Sequence, residues 1–322
     1  MPNLLITSAG RRVSLTRFFM KELKRFYPES KVFAADQYPE FSAAAQIADN
    51  YIKLPAVQSV EYIETLINIC IENDIKLIIP TIDPELLTLS EHRNRFTKKG
   101  IIPLVSSSDF IKICNNKRKT HIFFKNHNID VAKEYSKNDF SLPLFIKPIN
   151  GSASMNTQIV KNEDEISKSQ LNDESLMFLE YLDKKTHTEY TCDLYYDQNH
   201  NLTCAVPRRR IETRGGEVSK GMTEKHFLIT YIKENLAVIP GALGCITVQF
   251  FVNSNSNSVY GIEINPRFGG GYPLSYLAEA NYPKWIIEEY FLDKKIEPFD
   301  DWKDNLLMLR YDDEIIVHKF ND

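Results

Sequence analysis

The sequence predicts an α/β domain built on a parallel sheet, followed by an α+β domain. Over about the first hundred residues, short apolar runs that end in small or acidic residues alternate with segments of helical spacing. This alternation is typical of parallel strands joined by crossover helices. From about residue 113, apolar segments instead follow one another across short polar turns, as antiparallel strands do. We therefore divide the chain into residues 1–112 and 113–322.

Four strands are predicted in the first domain, at residues 3–8, 31–36, 75–83 and 101–106. Helices are predicted over residues 13–23 and 59–73 and after Pro84. An open parallel sheet binds its ligands beyond the carboxyl ends of its strands. The small and polar residues at those ends are Ser8, Gly10, Arg11, Arg12, Asp36, Thr81 and Asp83.

The candidate substrate residues of this domain are Ser8, Gly10, Arg11, Arg12 and Asp83. Two of them are arginines that open the first helix, where positive charge opposes the helix dipole. An anionic ligand such as a carboxylate would account for this positive charge. The alternative is that both arginines lie in solvent at the start of the helix. Dinucleotide binding is disfavoured, because SAGRR has one glycine where pyrophosphate binding requires G-x-G-x-x-G.

Composition excludes several other classes of function. The 322 residues carry a net charge of −4 with both signs interspersed, which offers no electrostatic case for nucleic acid or an anionic membrane. No apolar run is long enough to cross a bilayer, and we expect a cytoplasmic protein. The five cysteines are scattered and never form a CxxC pair, so neither disulfides nor zinc are expected.

The second domain is predicted to open with a helix over residues 115–128, which carries Lys117. Residues 143–160 indicate a strand, a loop and a second strand, with Lys147 at the end of the first. An apolar strand follows over residues 176–182 and ends in Glu180, Tyr181 and Leu182. Further strands open at Glu189 and span residues 206–217, and a hairpin is predicted from residues 246–252 and 259–265.

The predicted hairpin places three oxygen-bearing side chains near one another. Glu263 and Asn265 share a face of one strand, and Gln249 lies on the other strand. Carboxylate and amide oxygens suit Mg²⁺, which is usually held by one or two carboxylates together with substrate phosphates. The alternative is that Gln249 and Asn265 are ordinary strand residues that face water.

The remaining polar residues indicate a nucleotide pocket. Lys117 and Lys147 lie in separate elements and provide charge for phosphates, and Glu189 is an acceptor for ribose hydroxyls. The strand that ends in Glu180, Tyr181 and Leu182 offers backbone groups to an adenine edge.

These residues resemble the ATP-grasp ligases, and within them the synthetase domains of the carbamoyl-phosphate synthetase large subunit. The most specific element is Q...E-x-N-P-R, formed by Gln249, Glu263, Asn265 and Arg267. The resemblance implies a pre-ATP-grasp, Rossmann-like first domain and an ATP-grasp domain of two subdomains. A mobile lid of about residues 120–178 would close on Mg-ATP against residues 179–322. It also implies metal binding by the first three residues, with two Mg²⁺ ions expected and Mn²⁺ as an alternative.

The resemblance further implies that Arg267 stabilises the charge of the γ-phosphoryl group in flight. Arg210 and Arg214 are predicted to contact the triphosphate or an anionic substrate, with a solvated basic strand edge as the alternative. The lid loop NGSASMNT departs from the family, because Gly151 is its sole glycine. Ser152 is expected to donate a hydrogen bond to the nucleotide in place of further glycines.

The implied activity joins a small carboxylate, such as an amino acid, to an amine through an acylphosphate. Two alternatives stay open: one subunit of a split carbamoyl-phosphate synthetase-like enzyme, and a catalytically silent nucleotide-binding module. The expected partners are small-molecule substrates, without nucleic acid or membrane, and a homodimer is left open as the assembly.

Overall fold

The first sheet of the computed structural model, which describes residues 1–151 and 156–318, has five parallel strands. They lie in the order β3-β2-β1-β4-β5. Their bounds are β1 Asn3–Thr7, β2 Val32–Asp36, β3 Asn50–Lys53, β4 Ile75–Pro80 and β5 Ile102–Pro103. The helices between them are α1 Val13–Phe26, α2 Ala43–Ile47, α3 Tyr62–Glu72, α4 Asp83–Glu91 and α5 Arg93–Thr97. The parallel sheet predicted for the first domain is therefore confirmed.

The three central strands of this sheet, β2, β1 and β4, are buried on both faces. Leu4 and Ile6 point into one core that includes residues of α1, whereas Leu5 points into another that includes residues of α3. Successive strand residues alternate between faces, and helices cover both sides. The strands therefore read as continuous apolar runs in the sequence.

Three details of the prediction are wrong for this domain. Strand β3 was missed, because three of its four residues are exposed and its sequence NYIK has no apolar run. The predicted strand 75–83 ends at Pro80, and Asp83 is the first residue of α4. The predicted strand 101–106 shortens to the two residues of β5.

The next part of the chain forms a small antiparallel sheet of order β6-β9-β7-β8. Helices α6 Ser108–Cys114 and α7 Lys117–Asn126 precede it. Its strands are β6 Glu134–Tyr135, β7 Leu144–Pro148, β8 Gln158–Val160 and β9 Leu176–Glu180, and helix α8 Lys168–Asn172 lies between β8 and β9 in the chain. Its core consists of Leu144, Ile146, Val160 and Phe178. The strands predicted within residues 143–160 and 176–182 are present, although the latter ends at Glu180.

The third sheet has six antiparallel strands in the order β14-β13-β10-β11-β12-β15. The elements of this region are β10 His187–Tyr196, β11 Leu202–Arg214, β12 Glu217–Thr223, α9 Leu228–Asn235, β13 Gly244–Asn253, β14 Val259–Asn265, α10 Tyr272–Leu277, α11 Tyr282–Leu292 and β15 Leu307–Leu309. The hairpin of β13 and β14 confirms the prediction. The single strand predicted over residues 206–217 is divided in the structure. Residues 206–214 belong to β11, and β12 begins at Glu217.

Helix α1 attaches the parallel sheet to the six-stranded sheet. Phe18 stacks on Tyr276 of α10 with ring centroids 3.7 Å apart, and the Tyr276 hydroxyl donates to the buried Glu22. The Tyr27 hydroxyl donates to the carbonyl oxygen of Phe291 in α11. These contacts fix the carboxyl ends of the parallel strands beside the six-stranded sheet. None of the described helices is long and apolar enough to span a membrane.

Candidate active site

A cleft of about 650 Å³ lies between the four-stranded and six-stranded sheets. Most of the predicted site residues line it, namely Arg12, Lys117, Lys147, Glu180, Tyr181, Leu182, Glu189, Arg210, Gln249, Glu263, Asn265 and Arg267. Five predicted residues do not line it, namely Ser8, Gly10, Arg11, Asp83 and Arg214. Ser152 lies outside the described residues.

The β13–β14 hairpin brings Gln249, Glu263 and Asn265 together. Gln249 pairs directly with Glu263 across the two strands. The Nε2 atom of Gln249 donates to Glu263 Oε1 at 2.9 Å, and the Nδ2 atom of Asn265 donates to the same oxygen at 3.0 Å. The three side chains thus converge on one point of the cleft wall, as the alternation of the strands predicts.

This donor set fits a hard divalent cation. One carboxylate and two amides converge, and rotating each amide group by half a turn would replace its nitrogen by an oxygen. The described residues contain no group of three or more His, Cys, Asp or Glu side chains that could hold a metal. A cation at Glu263 would therefore depend on neutral oxygens and on a ligand's phosphates, which is the usual situation for Mg²⁺.

Two lysines face this triad from the other side of the cleft. Lys117 begins α7, which Asn116 caps by accepting from Lys119 N, and its Nζ donates to the Gly151 carbonyl at 2.6 Å. Lys147 on β7 is 6% exposed. Burial and the neighbouring Lys117 lower the pKa of Lys147 to about 8. Two close cations in a poorly solvated cleft favour an anionic ligand.

His121 is a cleft residue that the sequence reasoning missed. It lies one turn after Lys117 on the same face of α7, and it is 6% exposed. Burial and the cations Lys147 and Lys125 lower the pKa of His121 to about 3. The imidazole is therefore neutral near pH 7. Its spacing from Lys117 was the only signal available in the sequence.

Glu189 and Arg210 form an ion pair within the cleft. Arg210 Nη1 lies 2.8 Å from Glu189 Oε1, and Arg210 Nη2 donates to the Gly216 carbonyl at 3.0 Å. Arg210 Nη1 also donates to Gln249 Oε1 at 3.4 Å. Arg210 is thus placed next to Gln249, Glu263 and Asn265. Glu189, which is predicted to accept hydrogen bonds from ribose hydroxyls, is thus also the ion-pair partner of Arg210.

The strand end predicted to meet adenine is at one wall of the cleft. The Glu180 backbone N–H donates to the Lys133 carbonyl at 2.8 Å, which ends the ladder of β9. Tyr181 and Leu182 follow the strand, and the Leu182 side chain is buried. This wall is apolar where it continues into Phe145 and Leu179.

Arg267 is held by a residue of the first domain. Its Nε and Nη2 atoms donate to the two carboxylate oxygens of Asp83 at 2.8 and 2.6 Å. Both side chains are mostly buried, with exposed fractions of 14% and 22%. A predicted substrate residue and a predicted catalytic residue are therefore partners, and the pair fixes the plane of the guanidinium.

Arg208 and Arg214 have positions that differ from those of Arg210. Arg208 is buried and makes a bidentate pair with Asp193, through contacts of 2.8 and 3.0 Å. Arg214 lies at the end of β11, is 66% exposed and pairs with Asp312. Arg208 therefore has a structural role, and Arg214 lies away from the cleft lining.

The substrate residues predicted in the first domain do not all face the cleft. Ser8 adopts a positive φ of 52° and donates from its hydroxyl to the buried Glu85 at 3.1 Å. The Gly10 N–H donates to Asp36 at 2.9 Å. Arg11 is exposed, whereas the next residue, Arg12, lines the cleft. Only Arg12 of this set faces the cleft directly.

Because the glycines at 269–271 have no Cβ, three other side chains can approach their backbone closely. A Cβ on Gly269 would lie 3.1 Å from Thr247, and one on Gly270 would lie 2.7 Å from the Glu217 carboxyl carbon. A Cβ on Gly271 would collide with the guanidinium of Arg208. None of the three has a positive φ. Close packing, rather than unusual backbone conformation, explains the triplet.

We expect Gly271→Ala to destabilise the protein and Gly270→Ala to have a smaller effect. The new methyl group at 271 meets the buried Arg208, which cannot move without breaking its pair with Asp193. At 270 the obstacle is the end of the flexible Glu217 side chain. Overpacking of this kind typically costs about 1–3 kcal/mol. Thermal unfolding of both variants measures the difference, and equal melting temperatures would contradict the explanation.

Comparison with known proteins gives two family matches. The model described as "PylC-like, N-terminal domain" matches residues 4–104, and the model described as "ATP-grasp in the biosynthetic pathway with Ter operon" matches residues 172–309. No protein of curated function matches the sequence significantly.

Several solved structures share the fold. The biotin carboxylase domain of 2-oxoglutarate carboxylase from Hydrogenobacter thermophilus, solved with MgADP and bicarbonate, superposes with a TM-score of 0.73 at 13% identity, over 95% of this chain and 73% of that one. The L-amino acid ligase from Bacillus licheniformis gives 0.66 at 15% identity, over 90% and 74%. N5-carboxyaminoimidazole synthetase from Staphylococcus aureus gives 0.66 at 15%, over 90% and 77%.

At these identities the structural similarity establishes the fold. The match over residues 172–309 covers the part of the chain that holds Gln249, Glu263, Asn265, Arg210 and Arg267. Together with the fold shared along the chain, the match over residues 172–309 supports an ATP-grasp ligase.

Proposed function

We propose that the protein is an ATP- and Mg²⁺-dependent ligase that joins a small carboxylate to an amine through an acylphosphate. The observation that carries this proposal is the convergence on Glu263. A carboxylate flanked by two amides shares one cleft with Lys117, Lys147 and Arg267. Phosphoryl transfer needs positioning and charge neutralisation above all, and this cleft supplies both.

In the first step, an oxygen of the substrate carboxylate attacks the γ-phosphorus of ATP, and ADP leaves. Lys117 and Lys147 neutralise the phosphates, and Arg267, oriented by Asp83, stabilises the charge of the transferred group. Mg²⁺, expected as two ions with Mn²⁺ as an alternative, would be held by Gln249, Glu263 and Asn265 and would add positive charge at the phosphates. In the second step an amine attacks the acyl carbon, loses a proton and displaces inorganic phosphate.

The related structures support a carboxylate-activating reaction. One of them is an L-amino acid ligase, and another was solved with MgADP and bicarbonate. An acylphosphate hydrolyses in water. The four-stranded subdomain above the cleft would therefore act as a lid that excludes water. An amino acid is the carboxylate that we favour.

The test is ADP release from Mg-ATP by the purified protein across pools of amino acids and other small carboxylates, with hydroxylamine as a trap. We expect a hydroxamate with at least one pool, because hydroxylamine intercepts an acylphosphate. If MgADP raises the melting temperature but no pool supports turnover, the silent nucleotide-binding module becomes the better description. Turnover with bicarbonate alone would instead favour a subunit of a split synthetase.

Nucleotide binding should weaken as the pH rises through about 8. Burial has already lowered the pKa of Lys147 to about 8, so the ammonium that attracts phosphates is lost between pH 7 and 9. We expect the Kd for MgADP to rise by up to about tenfold over this interval. Titration calorimetry at three pH values measures it. Lys147→Arg keeps its charge and should bind with a flat profile, whereas an equal pH dependence in both proteins would exclude Lys147 as the cause.

A further inference from the structure

Arg12 is a mostly buried guanidinium of the cleft with unused hydrogen-bond donors. Its side chain is 20% exposed, and its nearest carboxylate oxygen, on Glu217, lies 3.7 Å away, outside hydrogen-bonding range. No hydrogen bond joins this side chain to the residues that the structure describes. A guanidinium carries five donors, and leaving them unmatched in a partly desolvated site costs free energy.

The two neighbouring arginines each donate hydrogen bonds to protein acceptors. Arg267 donates both ends of its fork to Asp83. Arg310, which follows β15, donates to Glu217 at 2.9 Å and to the Val218 carbonyl at 3.1 Å. Of these three guanidiniums, Arg12 is the one that makes no hydrogen bond to a described residue.

The charges around Arg12 leave an excess of one positive charge. The groups that act on it electrostatically are Glu217, Arg267, Arg310 and Asp83. With Arg12 itself this makes three guanidiniums and two carboxylates. Burial, together with the two other arginines, lowers the pKa of Arg12 although Glu217 opposes that effect. An anion bound here would restore the balance.

Arg12 and Lys117 line the same cleft but interact with different sets of charged groups. Lys117 interacts electrostatically with Glu263 and Asp83, whereas Arg12 interacts with Asp83, Arg267 and the groups beyond them. A carboxylate that reacts with the γ-phosphoryl group must lie on the Lys117 side. Arg12 would therefore contact a different part of the same substrate.

We propose that Arg12 binds a second anionic group, a carboxylate or a phosphate, of the acid that is activated in the cleft. This inference rests on the proposed function and names its substrate class: an acid with two anionic groups. The fork of a guanidinium matches the geometry of either group. Arg310 contributes indirectly, because its hydrogen bond to Glu217 keeps that carboxylate from pairing closely with Arg12.

The experiment measures binding of three acids of similar size to the full chain saturated with MgADP. Succinate carries a second carboxylate, 3-phosphonopropionate carries a phosphonate, and butyrate carries a methyl group at that end. The variants are Arg12→Gln and Arg17→Gln. Arg17 is an exposed residue of α1, the helix that Arg12 precedes, and its replacement removes the same charge.

We expect succinate or 3-phosphonopropionate to raise the melting temperature more than butyrate does, and the stronger of the two identifies the second group. This advantage should disappear in Arg12→Gln, with about a tenfold weaker Kd, and persist in Arg17→Gln. Equal binding of all three acids, or an equal loss for butyrate in Arg12→Gln, would overturn the inference. Failure of the proposed function is distinguishable, because no pool of acids would then yield a hydroxamate in the trapping assay with the wild-type protein.

Discussion

Glu263→Gln should reduce ATP turnover by on the order of a hundredfold or more while the fold stays intact. The Glu263 carboxylate is the only charged member of the triad, and it accepts hydrogen bonds from both Gln249 and Asn265. Its replacement by an amide removes the anionic ligand from a site whose other two ligands are neutral. ADP release at saturating Mg-ATP is the measurement, with the acid identified by the hydroxamate screen.

A matched control separates this effect from a general loss of charge. Glu234 is exposed on α9, and Glu234→Gln makes the same chemical change away from the cleft. We expect its turnover to equal that of the wild-type protein, and both variants should keep the wild-type melting temperature. If Glu263→Gln retained normal turnover, the metal site would be assigned to the wrong residues.

Arg208→Met should be the most destabilising of the arginine replacements. Asp193 is fully buried and accepts from Arg208, from the Ser275 hydroxyl at 2.6 Å and from the Thr247 hydroxyl at 3.3 Å. Removing the guanidinium leaves a buried carboxylate without a countercharge. Breaking such a pair typically costs about 3–5 kcal/mol. We expect a melting temperature lower by roughly 10 °C.

The adjacent residue provides the control for this prediction. Arg209 points to the other face of β11, is 41% exposed and pairs with Glu224 at 3.1 Å. Because exposed pairs contribute only about 0–1 kcal/mol, Arg209→Met should change the melting temperature little. Arg208→Lys keeps the charge but loses the bidentate geometry, so it should fall between the two. Similar melting temperatures for Arg208→Met and Arg209→Met would contradict a structural role for the buried pair.

The sequence predicted the parts of the site that depend on local alternation along strands. Gln249, Glu263 and Asn265 converge because a hairpin of known register places alternate residues on one face. The same alternation places Arg208 and Arg210 on one face of β11 and Arg209 on the other. It could not distinguish Arg208 from Arg210, since burial beneath the glycine triplet depends on contacts with Gly271 that no periodicity encodes.

Two short edge strands, β3 and β15, were not predicted from the sequence. Strand β3 is largely exposed, and the short strand β15 has two exposed residues among its three. Arg310 follows β15, so its contact with Glu217 had no signal that could be read in advance.

The sequence by itself determined the parallel sheet of the first domain, the β13–β14 hairpin and most of the predicted residues that line the cleft. These follow from periodicity, which acts over a few residues. Only the tertiary structure decided which charges are partners: Asp83 holds Arg267 across 184 residues, and Arg12 remains with free donors beside Glu217. Such pairing depends on how α1 docks against α10 and α11, and hence on packing between distant segments of the chain.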